Sequence, residues 1–332
     1  MDAVALLGPL AKVRDNTIVT RETQYFAQSG TFVAPADGIA IFRVLGAGGS
    51  GASSGQSTPG SGGNGGSVGV KRLRVKAGDA YVVAIPAGGA ARTQNSSGVA
   101  GENGGTLTIV GPGASISVPG GRGGVLGANL SPPDNDAPVG LDWFVLGGRG
   151  GKAANSNSST GQFGGAGGGG AALLNGSAAA FAGGAGAFTA IGTFSGAGGA
   201  GVGGGGGSGS GGSGGPLGPN LFGSTVGDLA TQDASHSRVL VNVSGTGSVG
   251  TTPSPGGGGL GAADNAPSPG GFGGGGGGGA ATTASAYANG GAGGIGGGGG
   301  SSGKHYTSTW YYGNSGAGGA GWVTVEFLET VQ

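Results

Sequence analysis

Runs such as "GGFGGGGGGGA" at 270–280 set the terms on which this chain can fold, because a glycine tract has no side chains to bury. Glycine supplies 94 of the 332 residues, about four times its usual share. Each one loses more backbone freedom on folding than any other residue. Each also costs about 1 kcal/mol relative to alanine inside a helix, so helix signals are weak throughout. The strict Gly-X-Y register of collagen is absent. Disordered linkers are usually rich in charge, whereas only 8% of these residues are charged and the mean hydropathy is +0.07. One ordered solution remains: straight polyproline-II helices, about 3.1 Å per residue and three residues per turn. Bare backbones then approach closely enough for N–H and C=O groups of neighbours to pair, as buried backbone groups require. Runs suited to this are 164–170, 196–207, 270–279 and 290–300. Between them lie turn-sized segments with larger or polar residues, such as "NLSPPDNDAPVGLDWF" and "KAANSNSSTGQF".

The charges separate two regions. Residues up to Lys152 carry 12 of the 14 basic and 9 of the 14 acidic side chains. That front region reads as strands. Thr31 to Val33 and Ile39 to Leu45 are β-branched or aromatic runs split by a Pro-Ala-Asp-Gly turn. In the next run Arg72, Arg74 and Lys76 share one face while Leu73 and Val75 share the other, the period of a half-buried strand. A strand after Ala-Gly-Asp, a hairpin from "GTLTIVG" and "SISVPGG", and "RVLVNV" at 238–243 extend the pattern. In the closing "GWVTVEFLE", Val323, Val325 and Phe327 alternate with Thr324 and Glu326. Such a strand cannot bury its apolar face alone, so it is expected to return and pair with the front strands, closing a β-sandwich.

The expected fold is therefore mainly β with irregular segments and essentially no α-helix: a β-sandwich plus a glycine-rich lobe of stacked polyglycine-II helices. The expected boundaries are a docking segment at 1–28, a β-rich front part at 29–152, the glycine-rich lobe with exposed loops at 153–320, and a closing strand at 321–332.

Several stretches together carry a family resemblance: "SGTFVAPADGIAIFRVLGAGGSGASSG", "GGNGGSVGVKRLRVKAGDAYVVAIPAGG" and the ending "GAGGAGWVTVEFLE". The chain resembles the glycine-rich domain family of bacteriophage tail proteins over about residues 29–328. It is also similar in style to phage tail-fibre adhesins whose tips stack polyglycine helices and present loops to the host. The resemblance implies a virion protein at the tail tip or tail fibre that recognises a bacterial surface receptor, a glycan or an outer-membrane protein. It also implies contact with other tail proteins through residues 1–28, with a homotrimer as one allowed assembly. The rivals are a structural tail-tip or capsid decoration protein without receptor binding, an ice-binding polyglycine bundle and, with least support, an enzyme that degrades surface polysaccharide.

Other chemistry is poorly supplied. Without cysteine there is no disulfide or thiolate metal site, and two histidines make a transition-metal centre improbable. Zero net charge gives no general attraction to nucleic acid. No stretch is long and apolar enough to insert in a membrane. "GGGSSGK" at 298–304 imitates a P-loop with Gly298, Gly303 and Lys304, but His305 stands where Ser or Thr is required. His236 with Asp233 and Ser235 imitates a triad whose members would normally come from separate elements. Asp134, Asn135 and Asp136 lack the spacing of a calcium loop. The expectation is a non-enzymatic protein without cofactor or metal.

The aromatic segment "SSGKHYTSTWYYGNSG" at 301–316 is different, being framed by almost pure glycine. His305, Tyr306, Trp310, Tyr311 and Tyr312 have no room among bare backbones. Two roles stay open for them: a structural one, capping the ends of the glycine segments or packing among themselves, or stacking on a receptor, with the neighbouring Ser, Thr and Asn supplying polar contacts. Trp143 and Phe144 in "LDWF" and Phe222 in "LFGSTVGD" are secondary candidates. Arg72, Arg74 and Lys76 read as a solvated strand face, or alternatively as a docking patch for an anionic glycan or lipopolysaccharide.

Overall fold

The fold is taken from a computed structural model, which describes residues 18–93, 96–153, 167–169, 262–263, 269–270, 273–280, 289–306 and 310–330. The expected rod at 196–207, the strand at 238–243, His236 and Phe222 lie outside the described residues.

No helix occurs among the described residues, and strands gather into two antiparallel sheets. The front strands are β1 (Ile18–Phe26), β2 (Gly30–Val33), β3 (Gly38–Leu45), β4 (Val68–Val75) and β5 (Ala80–Ala84). Next come β6 (Leu107–Gly111), β7 (Ala114–Val118) and β8 (Trp143–Val145). The back half holds β9 (Ala262–Ala263), β10 (Gly279–Ala280), β11 (Lys304–Tyr306), β12 (Trp310–Tyr312) and β13 (Trp322–Thr330). One sheet has the order β1-β13-β3-β4-β8 and the other β2-β5-β6-β7, while β9 with β10 and β11 with β12 form two-stranded pairs.

The closing strand does return: β13 lies between β1 and β3, with Phe327 opposite both Ala40 and Glu22. Its apolar residues enter one cluster that draws on both sheets, including Phe42 and Val325 from one and Phe32, Tyr81 and Ile109 from the other. Phe32, Phe42 and Tyr81 meet at centroid distances of 5.2–6.2 Å, a spacing that suits tilted and edge-on ring pairs. The polar side of β13 is not solvated, as simple alternation suggests, because Thr324 and Glu326 are buried too. Glu326 accepts a hydrogen bond from Arg43 at 2.7 Å, which partners the buried carboxylate across the strand pair. Beside them a second apolar group forms from Leu45, Val68 and Trp322.

The alternation along β4 holds: Arg72, Arg74 and Lys76 are exposed, Val75 is buried and Leu73 half-buried. The Ala-Gly-Asp turn has Gly78 at φ +84°, and the Asp79 carboxylate accepts from the Lys76 N–H at 2.8 Å. β1 falls within the segment expected to dock other proteins, and its backbone is paired with β13.

Between the strands, hydrogen bonding follows a repeat of three. Gly49 and Ala52 donate to the carbonyls of Asn64 and Ser61, Ser50 and Ser53 to those of Glu102 and Val99, and Gly48 and Gly51 to those of Gly319 and Gly316, all at 2.8–3.0 Å. Successive residues thus address three different neighbours, and every third residue returns to the same one. The next segment repeats this: Ser61 and Asn64 donate to Val125 and Arg122, Gly62 and Gly65 to Gly151 and Gly148, Gly63 and Gly66 to Gly299 and Gly296. Parallel neighbours occur as well, since Gly270, Gly273, Gly276 and Gly279 donate in turn to Ala292, Ile295, Gly298 and Ser301. The segments involved come from both sides of the expected boundary at 152 and 153. The short glycine stretches after β3, before β4 and after β7 belong to the same network, because any bare backbone can serve.

Candidate binding site at the aromatic hairpin

Five residues singled out by sequence fall on one hairpin. β11 and β12 pair antiparallel, with His305 opposite Tyr311, Tyr306 opposite Trp310 and Lys304 opposite Tyr312. The glycine segments that enter and leave are themselves paired, for Gly316 donates to Gly300 and Gly319 to Gly297 at 2.8 Å. These pairs and those of the hairpin share one register. The hairpin therefore prolongs an antiparallel pair of glycine segments without a change of register, and the hydrogen-bond repeat passes from three residues to two.

The base is fastened by hydroxyls. Ser54 donates through its N–H to the Ser302 hydroxyl at 2.9 Å and through its own hydroxyl to the Ser302 carbonyl at 2.6 Å. Ser53 donates to the Gly313 carbonyl at 3.0 Å and Ser301 to the Gly60 carbonyl at 2.8 Å. All four serines are fully buried. Sequence reasoning passes over them, because a serine beside glycine reads as ordinary loop chemistry. The signal was there in their position at the ends of glycine runs, where a hydroxyl can replace a missing backbone partner.

Lys304 is also fully buried, and its Nζ donates to the Gln56 carbonyl. Burial lowers its pKa to about 8, since desolvation disfavours the ammonium form. A lysine bound in this way is part of the hairpin base. Tyr312, opposite it, is half-buried, and burial raises its pKa.

The remaining candidates are placed elsewhere. Trp143 and Phe144 lie on β8, the edge strand of the larger sheet, and are 37% and 39% exposed. The "PPDNDAP" loop binds the chain itself. Asp134 takes a bidentate pair from Arg149 at 2.6 Å, and Asp136 accepts from Arg122 at 2.5 Å. The Arg149 hydrogen bonds hold the Asp134 carboxyl below its usual range. Asn135 between them is buried, accepting from Asn64 at 2.9 Å and donating to the Gly65 carbonyl at 2.7 Å. Among the described residues no group of three or more His, Cys, Asp or Glu side chains could hold a metal ion.

No protein-family model matches the chain, and no curated protein matches it significantly. Its function has to be argued from its own geometry.

Proposed function

We propose that this chain is a phage tail adhesin or receptor-binding tip protein that contacts the bacterial surface through loops held on a rigid glycine-rich scaffold. In this reading the two sheets form a β-sandwich, supported by the single apolar cluster to which both contribute. The glycine-rich part is a lobe of stacked polyglycine-II helices, supported by donors that return to the same neighbour every third residue. The segment at 1–28 joins the chain to other tail proteins. The chain acts on the virion, at the tail tip or fibre, with no catalytic role.

The observation that carries the reading is the aromatic hairpin, which continues a glycine-segment pair in register and is bolted at its base by buried Ser53, Ser54, Ser301, Ser302 and Lys304. A recognition element fixed in this way loses little conformational entropy on binding. Its Tyr, Trp and His residues suit an apolar sugar face or a protein contact.

The test is binding of the labelled full chain to a panel of bacterial strains. Tyr306→Ser, Trp310→Ser and Tyr311→Ser combined are expected to abolish binding with the melting temperature unchanged. Undiminished binding by that variant would overturn the reading.

A further inference from the structure

Among the described residues five cations stand in ion pairs, and three of those that do not lie together on and just beyond one strand. Arg43, Lys71, Arg92, Arg122 and Arg149 are each matched to a carboxylate. Arg72, Arg74 and Lys76 have no such partner, yet they stand at alternate positions on and just beyond β4, all exposed. The nearby Asp142 carboxylate is bound to Lys71 Nζ at 2.6 Å and to the Arg72 backbone N–H at 2.8 Å, and the Arg72 charge acts on it without forming an ion pair. In a strand, alternate residues are about 6.7 Å apart, so the three cations form a straight row about 13 Å long. Trp143 adjoins the row. It lies opposite Val70, on the same face as Arg72, and is one diagonal step away.

We propose that this strip, Trp143 with Arg72, Arg74 and Lys76, is a binding surface for a linear anionic glycan. Unmatched cations at a regular spacing complement a chain that bears acid groups at intervals, and an exposed indole at one end offers a stacking face for a sugar ring. Charge is known to blunt an unpaired sheet edge. β8 pairs only with Val68–Val70 and leaves the rest of that edge of β4 without a strand partner among the described residues. Edge protection explains charge here, but it does not explain an exposed tryptophan beside three exposed cations that enter no ion pair. The inference rests on the adhesin reading only for choosing a glycan over other polyanions. A chain of zero net charge also lacks the broad positive field typical of nucleic-acid binders.

The experiment measures binding of the full chain to alginate oligomers, with neutral dextran and oligo(dT) as comparison probes. The expected result is binding to alginate, none to dextran, and weakening as salt rises from about 0.05 to about 0.5 M. Arg72→Gln, Arg74→Gln and Lys76→Gln combined should weaken it at least about tenfold, the loss of one or two charge-assisted contacts. Trp143→Ala should weaken it about fivefold with the salt dependence unchanged. Should the triple variant fold poorly, Arg74→Glu alone gives the same reading. No alginate binding, binding insensitive to these changes, or tighter binding to oligo(dT) would each overturn the proposal. Loss of cell binding in the hairpin variant concerns the adhesin reading alone, and loss of alginate binding in the β4 variants concerns this one alone.

Discussion

A single methyl group is the sharpest probe of the glycine network. A Cβ on Gly300 would lie 2.1 Å from the Gly277 carbonyl oxygen, and one on Gly51 would lie 2.1 Å from that of Gly300. Backbone has no rotamer with which to yield, so Gly300→Ala should cost about 3 kcal/mol or more in chemical denaturation. Gly113 is a useful contrast, since its φ is +67° and a Cβ there meets nothing within 4 Å. Gly113→Asn should cost no more than about 1 kcal/mol, because asparagine tolerates the left-handed region. Lys304 makes a prediction of a different kind. Its folded pKa of about 8 lies below the ordinary 10.5, so between those values the unfolded chain holds more protons. Stability should then rise with pH from about 8 towards 10.5, and the penalty for the buried ammonium should be full below 8. Lys304→Met should flatten that slope in a pH series of thermal melts.

At the scale of elements, what holds the glycine segments in register is a small number of polar side chains. Asn64 donates to the Pro133 carbonyl at 2.7 Å and to Asn135, and accepts from the Gly150 N–H at 2.9 Å. Asn64→Ala removes three hydrogen bonds at once and takes from the buried Gly150 N–H the side chain that accepts from it, so it should destabilise by about 2–3 kcal/mol. Added to Asn135→Ala it should cost less than the sum of the two, as expected for residues of one network. These cases show what the sequence could and could not disclose. The faces of β4 were legible, because Arg72, Arg74 and Lys76 against Leu73 and Val75 are fixed by a local period of two. The return of β13 was legible because Val323, Val325 and Phe327 needed a partner. The partner of each glycine segment was hidden, since identical bare residues carry no mark of which neighbour they meet. The pairing of Glu326 with Arg43, 283 residues away, was equally invisible. The aromatic hairpin stood out by composition, but its exact pairing did not.

For the whole molecule, the two ends of the chain depend on each other. β13 lies inside the larger sheet, so β1 reaches that sheet only through the C-terminal strand. A chain ending at Gly321 should therefore lose the cluster formed by Val323, Val325 and Phe327 with both sheets. Limited proteolysis should find the front strands cleaved in that truncation and protected in the full chain. Because contacts between distant residues dominate, folding should be slow for a protein of this size, which stopped-flow refolding would register. The repeat of three along the glycine segments carries its own rule for how such a molecule can change length. Adding or removing one residue rotates every later donor towards a different neighbour, whereas a change of three returns each to its former partner. Lineages of such chains should therefore lengthen and shorten their glycine segments in triplets, a ruler of one helical turn written into their insertions and deletions.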